Sequence, residues 1–456
     1  MKNFDALIIG SGQAGTPLAH KLADQGWSVA IIEKSTVGGT CVNTGCTPTK
    51  AYVASARRMW ETEHLEEMGI SLKGKSAADL KKIKARKDKI VGGSVKSIGK
   101  SFRDHPNITL IKGEASFMSD KVIQVKGKTY TAPKIFINTG ARALVPEEYH
   151  DVDYLTNESI LELTELPKHL VIIGGSYIGL EFGQLFKRFG SKVTIIERSG
   201  QIISREDEDI SAVIQECLES DGVKFIKHAA NISAKGRTGK IRVSYRTDGN
   251  DHILSATHLL LAIGRIPNTD RLNLNVTNIQ TDKRGYIDVN DYCETSVSGV
   301  FALGDCNGKG AFTHTSYNDF QIAASYLFEE KKRKISDRIQ TYGLFVDPPL
   351  GRAGMTKKEA LDKGLKVKEA RREMTRVGRA VEKGETKGFM SILIHEKDNT
   401  IIGAAVLGVG GDEIISGILN LMVSGIPYTA LRDTVVLHPT VSELIPTALE
   451  NLTDVK

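Results

Sequence analysis

The sequence predicts an α/β protein built on parallel sheets, and two observations carry that expectation. A run of strand, glycine turn, helix and strand occurs twice, at Ala6–Glu33 and Leu170–Glu197, with 23 positions from the first turn glycine to the closing glutamate in both copies. Around these copies apolar runs alternate with helical stretches, which is how parallel sheets with right-handed crossovers are built. The 456 residues are 40% hydrophobic and 25% charged, enough for more than one core, and about 150 residues per domain makes roughly three domains. Forty-four glycines against 12 prolines favour tight turns and close backbone approaches, not a disordered or collagen-like chain.

The first copy reads Ala6-Leu7-Ile8-Ile9, then Gly10-Ser11-Gly12-Gln13-Ala14-Gly15, a helix to Gly26, and Val29-Ala30-Ile31-Ile32 ending at Glu33. Gly10, Gly12 and Gly15 permit a tight turn that brings a pyrophosphate to the helix N-terminus, and Glu33 can accept from ribose hydroxyls. The second copy runs Leu170 to Ile173, then Gly174-Gly175-Ser176-Tyr177-Ile178-Gly179, a helix to Gly190, and Val193 to Glu197. Ser176 replaces the middle glycine, a small departure that keeps Gly174, Gly179 and Glu197 in place. Two ordinary glycine turns are the bland alternative, but identical spacing points to two Rossmann-like dinucleotide-binding units.

Three further apolar runs break at glycine: Ile135 to Asn138-Thr139-Gly140, Leu260 to Gly264-Arg265, and Val300 to Gly304-Asp305. Each closes a nucleotide-binding segment, and the Asp305 carboxylate can bind a sugar hydroxyl, although alone it reads equally as a turn or helix-capping residue. The lysine-rich stretch from Lys73 to Lys100 places Leu80, Ile83, Ile90 and Val91 at roughly helical spacing. It reads as a solvated helix with one buried stripe and is assigned no function.

Lys and Arg exceed Asp and Glu by 61 to 55, a mild +6 that offers little support for nucleic acid binding and suits an anionic small molecule equally well. No apolar run approaches the roughly 18 residues of a membrane span, and the N-terminal apolar segment reads as a strand, not a secretory signal. A cytoplasmic protein with no membrane partner is expected. Five scattered cysteines, at 41, 46, 217, 293 and 306, do not make a secreted disulfide framework. Buried packing is the default for Cys217, Cys293 and Cys306.

Cys41 and Cys46 stand apart, within Gly38-Gly39-Thr40-Cys41-Val42-Asn43-Thr44-Gly45-Cys46-Thr47-Pro48-Thr49-Lys50. In an unbroken helix five positions separate Cα atoms by roughly 8.7 Å, beyond the ~7 Å a disulfide tolerates. Gly45 and Pro48 are expected to distort the segment enough for the sulfurs to meet. A reversible disulfide is the working hypothesis. Zinc is a rival that finds no neighbouring ligands, and an inert buried pair is another.

This cysteine motif resembles that of the class I pyridine nucleotide-disulfide oxidoreductases, the flavoproteins that include glutathione reductase, dihydrolipoyl dehydrogenase and mercuric reductase. The resemblance spans nearly the whole chain, through both glycine units, Thr139-Gly140, Gly264-Arg265-Ile266-Pro267-Asn268, Gly304-Asp305 and His438-Pro439-Thr440. It implies a discontinuous FAD-binding domain (1–145 and 271–338), an NAD(P)-binding domain (146–270) and a C-terminal α+β dimerisation domain (339–456). It further implies that Cys46 lies beside the flavin as a charge-transfer thiolate and Cys41 attacks substrate. Lys50 and Glu181 match the family's ion pair near the flavin, and Tyr177 its aromatic gate over the nicotinamide pocket. His438 and Glu443 match an acid-base pair that reaches into the partner subunit, making the homodimer the catalytic unit.

The acceptor stays open between a disulfide, as in dihydrolipoyl dehydrogenase, and a metal or quinone, as in the mercuric, copper- and chlorine-stress relatives. His438 and Glu443 favour disulfide chemistry, and the tail Glu450–Lys456 lacks the cysteine pair that captures soft metal. No resident metal is expected, and a non-catalytic redox sensor is the least favoured reading. Glu197 and Gly179 favour NADH over NADPH, while Arg198 and Arg205 pull the other way.

Overall fold

The computed structural model describes residues 1–455. Its first sheet has five parallel strands in the order Val300–Ala302, Lys134–Ile137, Ala6–Ile9, Val29–Glu33, Ile108–Lys112. The second has four, in the order Lys224–Ile226, Lys192–Ile196, His169–Ile173, His258–Leu261, again all parallel. The central strands are buried on both faces, the reason they read as unbroken apolar runs. In each sheet the first strand of the unit lies between the next strand in sequence and a later one. The chain therefore leaves it in opposite directions, and a crevice opens at its C-terminal end. Gly10 and Gly174 begin at those two ends.

The helices α1 (Gly15–Asp24), α2 (Gly39–Asn43), α3 (Cys46–Glu63) and α4 (Leu80–Asp104) belong to the first unit, α5 (Tyr177–Arg188) and α6 (Glu208–Ser220) to the second. The helix α7 (Thr313–Phe328) returns against α1. Gly26 and Gly190 end α1 and α5 alike, each donating its amide to the carbonyl three residues back. An antiparallel meander, Ala230–Arg237, Lys240–Thr247 and Asn250–Ala256, interrupts the second unit. The C-terminal sheet has six antiparallel strands in the order Thr341–Leu344, Leu350–Gly354, Ile401–Leu407, Phe389–His395, Val367–Glu373, Leu452–Asp454. The helix Gly411–Ser424 covers it, giving the expected α+β arrangement.

Two local expectations change. The lysine-rich helix starts at Leu80, where Asp79 caps it through the Lys82 amide at 3.1 Å, and runs on to Asp104. Its buried stripe is broken, with Ile90 38% exposed and Lys87 buried instead. The reason is packing at the two ends, against α3 and against the Ile108–Lys112 strand, with the middle uncovered. Lys87 tolerates burial because its ammonium reaches Asp88 at 2.6 Å and Glu162 at 2.8 Å.

The cysteine segment is two helices, not one distorted helix. The break falls at Thr44 and Gly45, where a Cβ on Gly45 would stand 2.9 Å from the Thr40 carbonyl oxygen. Pro48 is not the source of distortion, since it lies in the first turn of α3, where no intrahelical partner awaits its missing N–H.

Candidate active site

The two glycine turns have the same construction. Gly10 and Gly174 have φ of 102° and 107°, and a Cβ on either would run into a carbonyl oxygen, that of Asn138 or Ala262. A Cβ on Gly15 or Gly179 would strike the carbonyl of Gly10 or Gly174, so these glycines let each helix sit against its turn. Glu33 accepts from the Ser11 amide at 3.0 Å and the Ser35 amide at 2.8 Å. Glu197 accepts from the Gly175 amide at 2.6 Å and the Ser199 amide at 2.9 Å. Each carboxylate also accepts from a serine hydroxyl, Ser11 or Ser199, and thus fastens its own turn with one acceptor site left for a ribose. The helices α1 and α5 both start without a side-chain cap, and Gly12 packs against Gly39, leaving a narrow backbone cradle at the first turn. Turn backbone free of side chains ahead of a helix start fits a dinucleotide pyrophosphate in each unit, although in the first the Gly15 and Thr16 amides are already taken by Asn138 and Gly12.

Cys41 lies within α2, and Cys46 is the first residue of α3. Both are free cysteines. Cys46 is open to solvent on one side and packed among Cys41, Thr313 and Lys50 on the other. Its Sγ lies 3.2 Å from Thr313 Oγ1 at the start of α7. The proton of Cys41, then the Thr313 hydroxyl and the Lys50 charge, bring the Cys46 pKa down to about 6 against the opposing effect of burial. The same hydrogen bond, with burial added, holds Cys41 far above the usual thiol range. The two shifts are opposite in direction, favouring the thiolate at Cys46 and the thiol at Cys41, the division of roles that thiol exchange needs.

Lys50, one turn into α3, donates to both oxygens of Glu181 on α5 at 2.9 and 2.7 Å. Glu181 is buried and also accepts from the Phe345 amide at 3.1 Å, while the Lys50 ammonium lies 4.5 Å from the Phe345 ring centre. Tyr177, first residue of α5, meets Phe312 and Tyr342 edge-on at 5.9 and 5.7 Å. The Tyr342 hydroxyl donates to Glu206 at 2.6 Å. The aromatic trio stands between the second glycine turn and the start of α7.

Asp305 lies in a short 3₁₀ turn just past the Val300–Ala302 strand, its carboxylate 3.8 Å from Arg265, and burial raises its pKa. Thr139 and Gly140 follow the Lys134–Ile137 strand, and Thr139 Oγ1 is buried with no well-formed hydrogen bond. Gly264 follows the His258–Leu261 strand at the equivalent place in the second sheet. His438 pairs with Glu443. Its Nδ1 lies 2.8 Å from Glu443, its side chain is 82% exposed, and among the described residues no hydrogen bond joins it to Cys41 or Cys46. Arg198 and Arg205 are exposed and enter no ion pair among the described residues. Cys217, Cys293 and Cys306 are buried. No cluster of three His, Cys, Asp or Glu side chains is placed to hold a metal among the described residues.

Three features were not legible in the sequence. Asn138 stitches the first unit together, accepting from the Gly15 amide at 3.0 Å and donating to the Leu303 carbonyl at 2.8 Å. Thr313 carries no motif, and only folding brings it 267 positions to Cys46. Ser94 and Ser97, on the lysine-rich helix, line a cleft of about 580 Å³ with Gln13, Thr16, Val42 and Tyr317.

Two dinucleotide turns with a polarised cysteine pair define a redox enzyme that uses two nucleotides. Residues 4–323 match the model of the pyridine nucleotide-disulphide oxidoreductases, and residues 341–449 match that family's dimerisation domain. The chain is 32% identical over 453 residues to dihydrolipoyl dehydrogenase of Geobacillus stearothermophilus (98% of this chain, 95% of the relative). It is 34% identical over 458 residues to the probable pyridine nucleotide-disulfide oxidoreductase RclA of Escherichia coli (97% and 98%). It is 32% identical over 445 residues to a mercuric reductase of Staphylococcus aureus (97% and 81%). The solved Cu(II) complex of the HOCl-induced flavoprotein disulfide reductase RclA superposes with a TM-score of 0.88 at 33% identity, covering 99% of both chains. The chain belongs to the pyridine nucleotide-disulphide oxidoreductase family and is an FAD-dependent enzyme of that class.

Proposed function

We propose that this enzyme passes electrons from NADH to the Cys41–Cys46 pair and on to a small-molecule acceptor, most simply a disulfide. The first glycine turn, Glu33, Thr139, Gly140 and Asp305 would hold FAD. The second turn, Gly264 and Glu197 would hold the nicotinamide nucleotide, with Tyr177 shielding its pocket. FAD, when bound, supplies a carrier that takes a hydride from the nicotinamide and returns two electrons to a disulfide. The observation that carries this reading is the placement of two free cysteines on either side of the α2–α3 break, with Thr313 Oγ1 3.2 Å from Cys46 Sγ and the Lys50 charge acting on the same sulfur.

The residues divide the work. Reduction of the Cys41–Cys46 disulfide takes two electrons and one proton, leaving Cys41 as thiol and Cys46 as thiolate. Cys41 gives its proton to the His438 imidazole and attacks an acceptor disulfide, forming a mixed disulfide as one sulfur leaves, and the Cys46 thiolate then attacks Cys41, re-forming the Cys41–Cys46 bond and releasing the second sulfur. Lys50, fixed by Glu181, keeps a positive charge near Cys46 and would stabilise negative charge on a bound flavin. The His438 imidazole, oriented by Glu443, delivers the proton that the leaving sulfur needs.

NADH is preferred because the Glu197 carboxylate can accept from a ribose hydroxyl but repels a 2′-phosphate. The exposure of His438 supports a homodimer in which it serves the partner's cysteines. Val435 and Leu437, 97% and 76% exposed, flank it as an apolar rim on one chain. A reducing cytoplasmic setting suits the thiols, and no helix among the described residues is long and apolar enough to cross a membrane.

Anaerobic NADH treatment of the holoenzyme, then alkylation and mass spectrometry, tests the reading. New labels on Cys41 and Cys46 are expected, and labelling that ignores NADH would remove the pair from the pathway. The Cu(II) complex of RclA favours a second reading, a metal ion as acceptor. NADH oxidation compared with lipoamide, glutathione disulfide, Cu(II), Hg(II) and a quinone separates the two. Turnover only with metals or quinone would leave His438 without a role.

A further inference from the structure

We infer that Thr313 is the positioning residue of the redox pair, its side-chain hydroxyl donating to Cys46 and holding that sulfur as the thiolate. The inference rests on the reading of Cys41 and Cys46 as the redox pair and adds a residue to it.

The geometry is specific. Thr313 Oγ1 lies 3.2 Å from Cys46 Sγ, and the same hydroxyl also reaches Cys41, so both sulfurs of the pair share it. Its neighbour Thr315 is spent differently, its hydroxyl bonding the backbone of Phe312 at 3.1 and 2.7 Å. Outside the cysteine pair the Thr313 hydroxyl has no other hydrogen-bond partner among the described residues, and of the two sulfurs only Cys46 meets it at a well-formed 3.2 Å. A thiolate has no proton to give, so the hydroxyl must donate. The β-branched side chain has few rotamers open to it on a helix, which limits where the hydroxyl can point.

Two helix starts also meet at this sulfur. Cys46 is the first residue of α3 and Thr313 the first of α7, and neither helix has a side-chain cap occupied with its leading amides. Both ends favour negative charge. The titratable groups facing Cys46 are Cys41 on α2, Lys50 on α3 and Glu181 on α5. Cys41 and Lys50 favour the thiolate and Glu181 opposes it, so the donor from α7 adds to the favourable side. No proton crosses to or from Thr313. The disulfide takes two electrons and one proton to give the Cys41 thiol and the Cys46 thiolate, and Thr313 stabilises that product.

The test measures iodoacetamide labelling of Cys46 by mass spectrometry in reduced holoenzyme, from about pH 5 to about pH 9. Wild type, Thr313→Val and Thr313→Ser are each reduced in parallel with dithiothreitol and with NADH. After dithiothreitol, the labelling midpoint is expected to rise by about one pH unit in Thr313→Val, as loss of a hydrogen bond to a charged group requires. Thr313→Ser should restore it, which a packing role for the methyl group would not. An unchanged midpoint in Thr313→Val overturns the inference. Thr313→Ala gives the same measurement if the valine variant fails to load flavin. Failure of NADH alone to expose Cys46, with the dithiothreitol shift intact, would overturn the redox-pair reading and leave Thr313 as the thiolate's donor.

Discussion

Arg352, in the C-terminal sheet, donates to Glu206 of the second nucleotide unit at 2.5 Å in a site where their side chains are 2% and 0% exposed. Asp207 takes the same guanidinium nitrogen at 2.8 Å, and the Tyr342 hydroxyl completes Glu206. The pair ties the unit that carries Tyr177 to the sheet that carries Tyr342. Arg352→Met leaves two buried carboxylates without their cation and is expected to cost about 3–5 kcal/mol. A urea titration should show a lower midpoint, and adding Glu206→Gln to the variant should recover part of the loss. Equal midpoints for Arg352→Met and wild type would show that the pair holds nothing together.

Glu197 is expected to choose the nucleotide. Glu197→Gln keeps an acceptor for the Gly175 amide but removes the charge that opposes a 2′-phosphate. The NADH-to-NADPH ratio of kcat/KM should fall by about tenfold, an effect of about 1.4 kcal/mol. Steady-state kinetics with both nucleotides measures it, and a ratio that rises would reverse the assignment.

The Lys50 ammonium acts on charge at Cys46 and, on the proposed reading, would also act on charge developing at a bound flavin. Lys50→Met should lower NADH-driven disulfide turnover on the order of a hundredfold, the scale of one lost electrostatic donor. Rapid-mixing kinetics should put the loss in the reductive half of the cycle. Undiminished turnover would make the Lys50–Glu181 pair structural only.

Labelling of the reduced enzyme has a definite pH dependence. Because the Cys46 pKa is lowered to about 6 and that of Cys41 is raised, thiolate accumulates as pH climbs through about 6 and changes little between about pH 7 and 8. Alkylation rate against pH should follow that single step. An inflection near the ordinary thiol value instead would mean that the polarisation is absent in solution.

His438 can be tested by complementation. In a purified heterodimer of a Cys46→Ser chain with a His438→Asn chain, service across the interface leaves one complete site and service within a chain leaves none. Roughly half of wild-type activity is expected, and an inactive heterodimer would place His438 with its own cysteines.

Much of the site was legible because it is local. Gly10 to Glu33 and Gly174 to Glu197 lie within single strand-turn-helix-strand units, where a fixed spacing and the steric demands of glycine leave few alternatives. The cysteine pair was visible for the same reason, although the sequence argued for a distorted helix and the chain breaks it into two. The lysine-rich helix misled because periodicity reports apolar positions, whereas Lys87 is buried by partners that no helical period announces.

By itself the sequence determined the two nucleotide turns, their acidic partners and the neighbouring thiols, since short-range backbone geometry settles each of them. Only the tertiary structure decided that Thr313 meets Cys46, that Arg352 meets Glu206, and that His438 faces outward from its own chain. Those pairings join segments more than a hundred residues apart or depend on which surface is left open, and packing of whole sheets and helices, not local preference, brings them about.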